Sequence, residues 1–159
     1  MTLKTGPLEP ITDIPAEMSI AEARLESIKG GILSAIAVGL VAGLTLLGAS
    51  FLRAGFEFPL PVPQTLLEWL INIAVALCSG FFFGVSYRYI VRQDPNLHLG
   101  SGAVGAFALV RSLAQVEATW SGSFTLLTWL LITGESFLWF AAARYSLDWA
   151  MGNRLIKPL

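Results

Sequence analysis

Two charged side chains stand inside long apolar runs: Arg111 in the stretch from Leu97 to Trp120, and Glu135 in the stretch from Trp120 to Ala143. A charge at the centre of a bilayer costs about 2.5–3.5 kcal/mol on insertion scales and is seldom left facing lipid. Opposite charges on consecutive apolar segments therefore predict a buried pair between neighbouring helices. Gln115 follows Arg111 by four residues, on the same helix face, and Glu117 lies near the outer end of that segment, so both compete with Glu135 as partners. With the turn placed at Trp120, Arg111 is nine residues from it and Glu135 fifteen. That is a depth difference of about 9 Å, which two long side chains leaning together, or a tilted helix, can largely bridge. Three readings follow: a satisfied ion pair that fixes helix register, a docking site with one charge paired in another subunit, and an ion or proton pathway in which Glu135 titrates. Transport usually draws on more than one acid and on discontinuous helices, and only one acid lies deep here.

Other chemistry has little to work with. The single histidine, His98, falls in a polar turn, which excludes a multi-histidine metal site or a bis-histidine haem within one chain. The single cysteine, Cys78, excludes an internal disulfide and a cysteine-built metal cluster. With no cation close in sequence to lower its pKa, it reads as a small buried apolar side chain. No phosphate loop, nucleotide fingerprint or nucleophile motif is present, so no enzymatic activity and no catalytic residue is predicted. No cofactor is predicted either, and a bound lipid or pigment stays open.

The solvent these residues meet is set by composition. Hydrophobic residues make up 55% of the 159 residues and charged residues 13%, with a mean hydropathy of +0.68. A soluble domain carries about 25% charged residues, so lipid must replace water over much of this surface. A net charge of −1 offers no basic footprint for nucleic acid.

The fold class predicted is all-α: a polytopic membrane protein of four transmembrane helices led by a short amphipathic helix. Residues 1–18, with Pro7, Pro10 and Pro15, read as a flexible tail. Ser19 and Glu22 have capping-box spacing, and Met18, Ala21, Leu25, Ile28 and Ile32 follow a helical stripe. This predicts a surface helix bending into the first span at Gly30-Gly31, with a solvated extension of that span as the alternative. The spans run Ile32–Leu52, Leu66–Tyr87, Leu97–Trp120 and Trp120–Ala143, each long enough to cross the hydrocarbon core. The third is the weakest, being rich in Gly and Ala and broken by Arg111, Gln115 and Glu117. By hydropathy alone it also reads as a re-entrant or surface segment, and the loop charges, which demand an even number of spans, favour a full crossing. Pro59, Pro61 and Pro63 stiffen the first connection, and Asp94-Pro95-Asn96 breaks the second. The transmembrane domain with its leading helix is thus placed at 19–146, and a tail at 147–159. The first apolar run lies too far along the chain for a secretory signal peptide.

Orientation follows from basic residues. Lys4, Arg24, Lys29, Arg88, Arg92, Arg144, Arg154 and Lys157 fall on one side of four spans, Arg53 on the other, and Arg111 between. By the positive-inside rule both termini are then cytoplasmic, or stromal in a plastid. Arg88 and Arg92, at i,i+4 just beyond the second span, read as a basic topology anchor on that face, within reach of lipid head groups or an acidic partner.

Helices in lipid associate through close packing and interhelical hydrogen bonds. Gly39 and Gly43, Gly80 and Gly84, and Ser101 and Gly105 (with Gly102 and Ala106) give three spans a small-residue groove. That is enough for a compact bundle in which all of them face one another within the chain, with one groove left for a partner as the alternative. Of Phe81-Phe82-Phe83, at least one ring must face lipid or another subunit. Trp120 and Trp139 fit interfacial belts, where the indole N–H stays wet.

The block Phe83-Gly84-Val85-Ser86-Tyr87-Arg88-Tyr89, continued by Gly105-Ala106-Phe107-Ala108-Leu109-Val110-Arg111 and Gln115-Val116-Glu117, resembles an uncharacterised family of small multi-span membrane proteins of cyanobacteria and plastids. The resemblance covers about a third of the chain and supplies no catalytic residues. It implies a thylakoid or related membrane and an accessory role near photosynthetic complexes. The expectation is an accessory, scaffold or assembly subunit of a larger membrane complex, surrounded by lipid and other membrane subunits. The alternative is a small ion, proton or solute channel or carrier built on Arg111 and Glu135, in a thylakoid or plasma membrane.

Overall fold

The computed structural model describes residues 20–55, 63–91, 97–119 and 125–157. They form four helices: α1 (Ile20–Gly55), α2 (Leu66–Val91), α3 (Leu97–Thr119) and α4 (Leu126–Gly152). Each is long and apolar enough to cross a membrane. Among the described residues there is no strand.

Local chemistry starts and stops the helices. At the start of α2, the Glu68 amide donates to Thr65 Oγ1 at 3.2 Å and the Glu68 carboxylate accepts from the Gln64 amide at 2.7 Å. One orphan donor of the first turn, and the amide just before the cap residue Thr65, are thereby satisfied. Thr125 caps α4 by accepting from the Thr128 amide. At the far end of α4, Leu155 N–H donates to Ala150 O (2.9 Å) and Arg154 N–H to Met151 O (3.1 Å). That is a Schellman turn, closed by Arg154 in the left-handed region at φ 56°.

The surface is inverted relative to a soluble protein. Leu25, Ile28, Ile32, Ile36, Leu40, Leu44, Leu47 and Phe51 all face outward from α1 at helical spacing, as lipid-facing side chains do. That stripe covers about 39 Å of helix, against a hydrocarbon core of about 30 Å. Cys78 is also exposed, on the outward face of α2, and is not the buried side chain the sequence suggested. The interior instead holds Ser27, Ser34, Arg88, Ser112, Thr128 and Ser136 beside Ala, Val and aromatic rings.

The helices run up and down, so that residues 20, 91, 97 and 152 lie toward one end, here the terminal face. α4 touches all three other helices, whereas α1 and α3 do not meet. Of the buried residues of α2, Gly80, Phe83, Gly84, Tyr87 and Arg88 sit in its half nearer the terminal face, and Ala76 lies just past the midpoint. The rings of Phe83, Tyr87 and Phe140 put the bulk of the core in that half, and Val38, Ala42 and Ala76 carry it past the middle.

Three boundaries differ from the sequence reading. The leading segment is not a separate helix but the extension of the first span that the sequence offered as the alternative: α1 is continuous through Gly30-Gly31, which pack against Arg88, Phe81 and Val85 of α2. A helix supported along its side has no reason to break there. The fourth span begins at Leu126, not Trp120, and extends nine residues past Ala143 to Gly152. The tail placed at 147–159 is therefore largely structured, with Leu147, Ala150 and Ile156 in the core. Ser19, the tail before it, Arg92, Trp120 and the proline-rich stretch 56–62 lie outside the described residues.

Candidate functional site

Because α3 ends at Thr119 and α4 starts at Leu126, Arg111 is eight residues before one helix end and Glu135 nine after the other. The two stand at nearly equal depth, about 12 and 13.5 Å from the distal ends of their helices. The offset of about 9 Å expected from the sequence came from placing the turn at a single residue.

Equal depth does not produce a direct ion pair. Arg111 Nη1 donates to Gln115 Oε1 and to Ser136 Oγ, each at 2.7 Å. Ser136 Oγ in turn donates to Ile132 O at 2.9 Å. The guanidinium lies over the Trp139 ring, 3.5 Å from its centroid, an arrangement worth about 2 kcal/mol where water is excluded. Trp139 Nε1 donates to Thr45 Oγ1 at 3.1 Å, and Thr45 Oγ1 donates to Glu135 Oε1 at 2.9 Å. Cation and carboxylate are thus linked through an indole and a hydroxyl. Among the described residues the ion pairs are Lys29–Glu26 and Arg144–Asp148. Glu117 is exposed on α3 and takes no part. Trp139, expected at an interface, is buried beneath Arg111, because the helix extends past it and its ring is the platform for the cation.

Between the two charges lies a cavity of about 30 Å³, lined by Leu46 and Ala49 of α1, Asn72 of α2, Arg111 and Gln115 of α3, and Ile132 and Glu135 of α4. On the other side of Glu135, a more open groove of about 230 Å³ runs between α1 and α4, past Thr45, Gly48, Ala49, Leu52 and Leu131. Toward the terminal face the interior is filled. Phe83 stacks on Tyr87 at 5.3 Å between centroids and meets Phe107 and Phe140 at 5.2 Å.

A second polar centre lies at the terminal face. Arg88 is wholly buried, contrary to the basic anchor expected there. Its Nε and Nη2 donate to Lys157 O at 3.1 and 2.5 Å, and its Nη1 to Ala23 O at 3.1 Å and Ser27 Oγ at 2.7 Å. Lys157 N–H donates to Glu26 Oε2 at 3.0 Å. The Schellman turn after α4 delivers Lys157 to this point, so Arg88 clasps the segment after α4 to the start of α1. The sequence concealed this because Arg154 occupies a position that glycine usually announces. Nearby, Tyr87 Oη donates to Asp148 Oδ1 at 2.7 Å, and Arg144 Nη1 to Ser101 Oγ at 2.8 Å. His98 is exposed in the first turn of α3. Among the described residues no group of three or more His, Cys, Asp or Glu side chains is placed to hold a metal ion.

The small residues divide sharply. A Cβ built on Gly80 would stand 2.9 Å from Ala35 Cα and Ser34 O, and one on Gly84 would run into Gly30 O and stand 2.6 Å from Ser34 Cβ. These two seat α1 on α2. Their counterparts on α1 are Gly30, Ser34 and Val38. Gly39 meets only the flexible end of Leu77, and Gly43 nothing within 4 Å. On α3, Gly102 and Gly105 also meet nothing within 4 Å, and Ala106 is exposed. Of the three phenylalanines, Phe83 is core, Phe82 faces outward and Phe81 packs on Gly31.

Comparison with protein-family models finds no match, and comparisons with curated proteins and with solved structures find none either.

Proposed function

We propose that this protein is a non-catalytic integral membrane subunit, an accessory or assembly component that joins a larger membrane complex by helix packing. The observation that carries this reading is the open face of α3. Gly102 and Ala106 are exposed and Gly105 half-buried, and a Cβ on either glycine would meet nothing within 4 Å, so no described helix fills this small-residue surface, whereas the equivalent surface of α2 is filled by α1. Small residues let a partner backbone approach closely, which is how helices recognise each other in lipid. Leu109, Val110 and Leu113 continue the apolar exposure along α3.

The carrier alternative draws support from opposite charges around an intramembrane cavity. Against it, the aromatic block of Phe83, Tyr87, Phe107 and Phe140 fills the route from that cavity to the terminal face, and transport would require those rings to part. The proposal includes orientation and setting: the terminal face is cytoplasmic or stromal on its excess of basic residues, and a thylakoid membrane rests on the sequence resemblance.

Solubilisation of the native membrane in mild detergent, followed by a native gel and mass spectrometry, tests the reading. Migration with a large complex, lost on replacing Gly102 and Gly105 by leucine, is the expected result. Migration of the unaltered chain alone or as a small homo-oligomer, while a known complex stays intact in the same extract, would overturn it.

A further inference from the structure

We propose that the cavity between Arg111 and Glu135 is a water-binding site, in which one or two ordered waters complete the bridge between guanidinium and carboxylate. This inference goes beyond the subunit reading and stands independently of it. A guanidinium offers five N–H donors. Two on Nη1 are used by Gln115 and Ser136. Nε is buried and has no protein partner, and no hydrogen bond engages Nη2 among the described residues. Across the cavity, Glu135 Oε1 accepts from Thr45, while Oε2 has no hydrogen bond to a described residue. Arg111 and Glu135 both line the cavity, the first with donors left over and the second with acceptor capacity.

The volume of about 30 Å³ exceeds the roughly 10–15 Å³ that a single water needs, and a buried water is held by two to four polar partners. Arg111 and Glu135 supply them, with Asn72 beside them on the cavity wall. Charge then selects the ligand. The formal charges of the lining cancel, so an added anion would face Glu135 and an added cation Arg111, in surroundings too apolar to screen either. A small neutral molecule that both accepts and donates satisfies both walls, and water is the one that fits. Toward the terminal face the aromatic block gives it no onward polar partner, so it is a bound component of the bundle.

The test uses the full chain, with nitrogen-15 in its arginines, in lipid bilayers. Solid-state NMR measures magnetisation transfer from water to each arginine Nε–H. Arg111→Lys assigns the Arg111 signal by its disappearance. The Arg88 Nε–H, bonded to Lys157 O, is the internal reference for slow transfer. The expected result is fast transfer to Arg111 Nε–H, reduced to the Arg88 level in Ala49→Ile, which fills the cavity from α1. Asn72→Leu fills it from α2 and replaces the first variant if that one fails to fold. Transfer to Arg111 no faster than to Arg88 in the unaltered chain would overturn the proposal. So would fast transfer that survives filling in a folded variant, or an Nε–H shift that follows chloride concentration and so reports a bound anion.

Discussion

Alanine at Gly84 and alanine at Gly43 are the same chemical change in the same sequence motif, and the structure gives them opposite signs. At Gly84 the new methyl would stand 2.6 Å from Ser34 Cβ and against the Gly30 carbonyl. Carbon atoms rest at about 3.5–4.0 Å, so α1 and α2 must part by about 1 Å. Neither obstacle can rotate away, because both are fixed to the backbone of α1. Overpacking of this kind costs about 1–3 kcal/mol, and the gain in helix propensity returns about 0.8–1.0 kcal/mol. Gly84→Ala should therefore lower stability by about 0–2 kcal/mol, and by about 1–3 kcal/mol relative to the same change at a site with no such contact. Gly43→Ala meets nothing within 4 Å and should leave stability unchanged or raise it by up to about 1 kcal/mol. Reversible unfolding of the purified chain in mixed micelles reads both values. Two variants within about 0.5 kcal/mol of each other would refute the claim that Gly84, and not Gly43, seats one helix on another.

Arg88→Met removes four hydrogen bonds from the clasp; it should cost about 2–4 kcal/mol and expose the segment after Gly152 to carboxypeptidase, as digestion timed by mass spectrometry would report. Thr45→Val strips Trp139 Nε1 of its acceptor and Glu135 of its donor, and should cost about 2–4 kcal/mol in the same unfolding assay, with a change in indole fluorescence. Glu135→Gln keeps an oxygen for Thr45 and should cost about 1 kcal/mol or less; a loss as large as that of Thr45→Val would contradict the relay. Arg154→Gly relieves a left-handed residue and should stabilise the protein by about 0.5–1 kcal/mol, seen as a rise in Tm.

Four spans and their order were readable because hydropathy over about 20 residues is a property of composition, insensitive to detail. Arg111 was readable as an anchored cation because lipid offers so few alternatives. Its platform was not, since nothing local tells that Trp139, 28 residues on, lies underneath. That contact depends on the depth at which α4 begins, and Thr125 as its cap, one polar residue in a short connection, was a faint signal beside Trp120. The glycine pairs show the same limit. Gly39-Gly43 and Gly80-Gly84 share their spacing, yet only the second is used as a pair, because Gly30 and Ser34 offer α2 a flatter surface. Arg88 was misread for the opposite reason: a basic residue at a span end is usually wet, and only the returning chain after α4 makes it dry.

The separation of α1 from α3 has a consequence for how the chain is made. Helices leave the ribosome in order, so α1 and α2 can pair at Gly80 and Gly84 while the rest is still being synthesised. α3 arrives next, the least apolar of the four, with Arg111 and a lone helper, Gln115, on its own turn. The groups that make that arginine tolerable in lipid, Ser136 and Trp139, belong to α4 and do not yet exist. Until they are translated, α3 must wait at the translocon or at the membrane surface, and its final insertion is a joint event with the helix that follows. A chain ending at residue 119 should therefore leave α3 open to a water-soluble thiol reagent at a cysteine placed at Val110, and one extended through Gly152 should not.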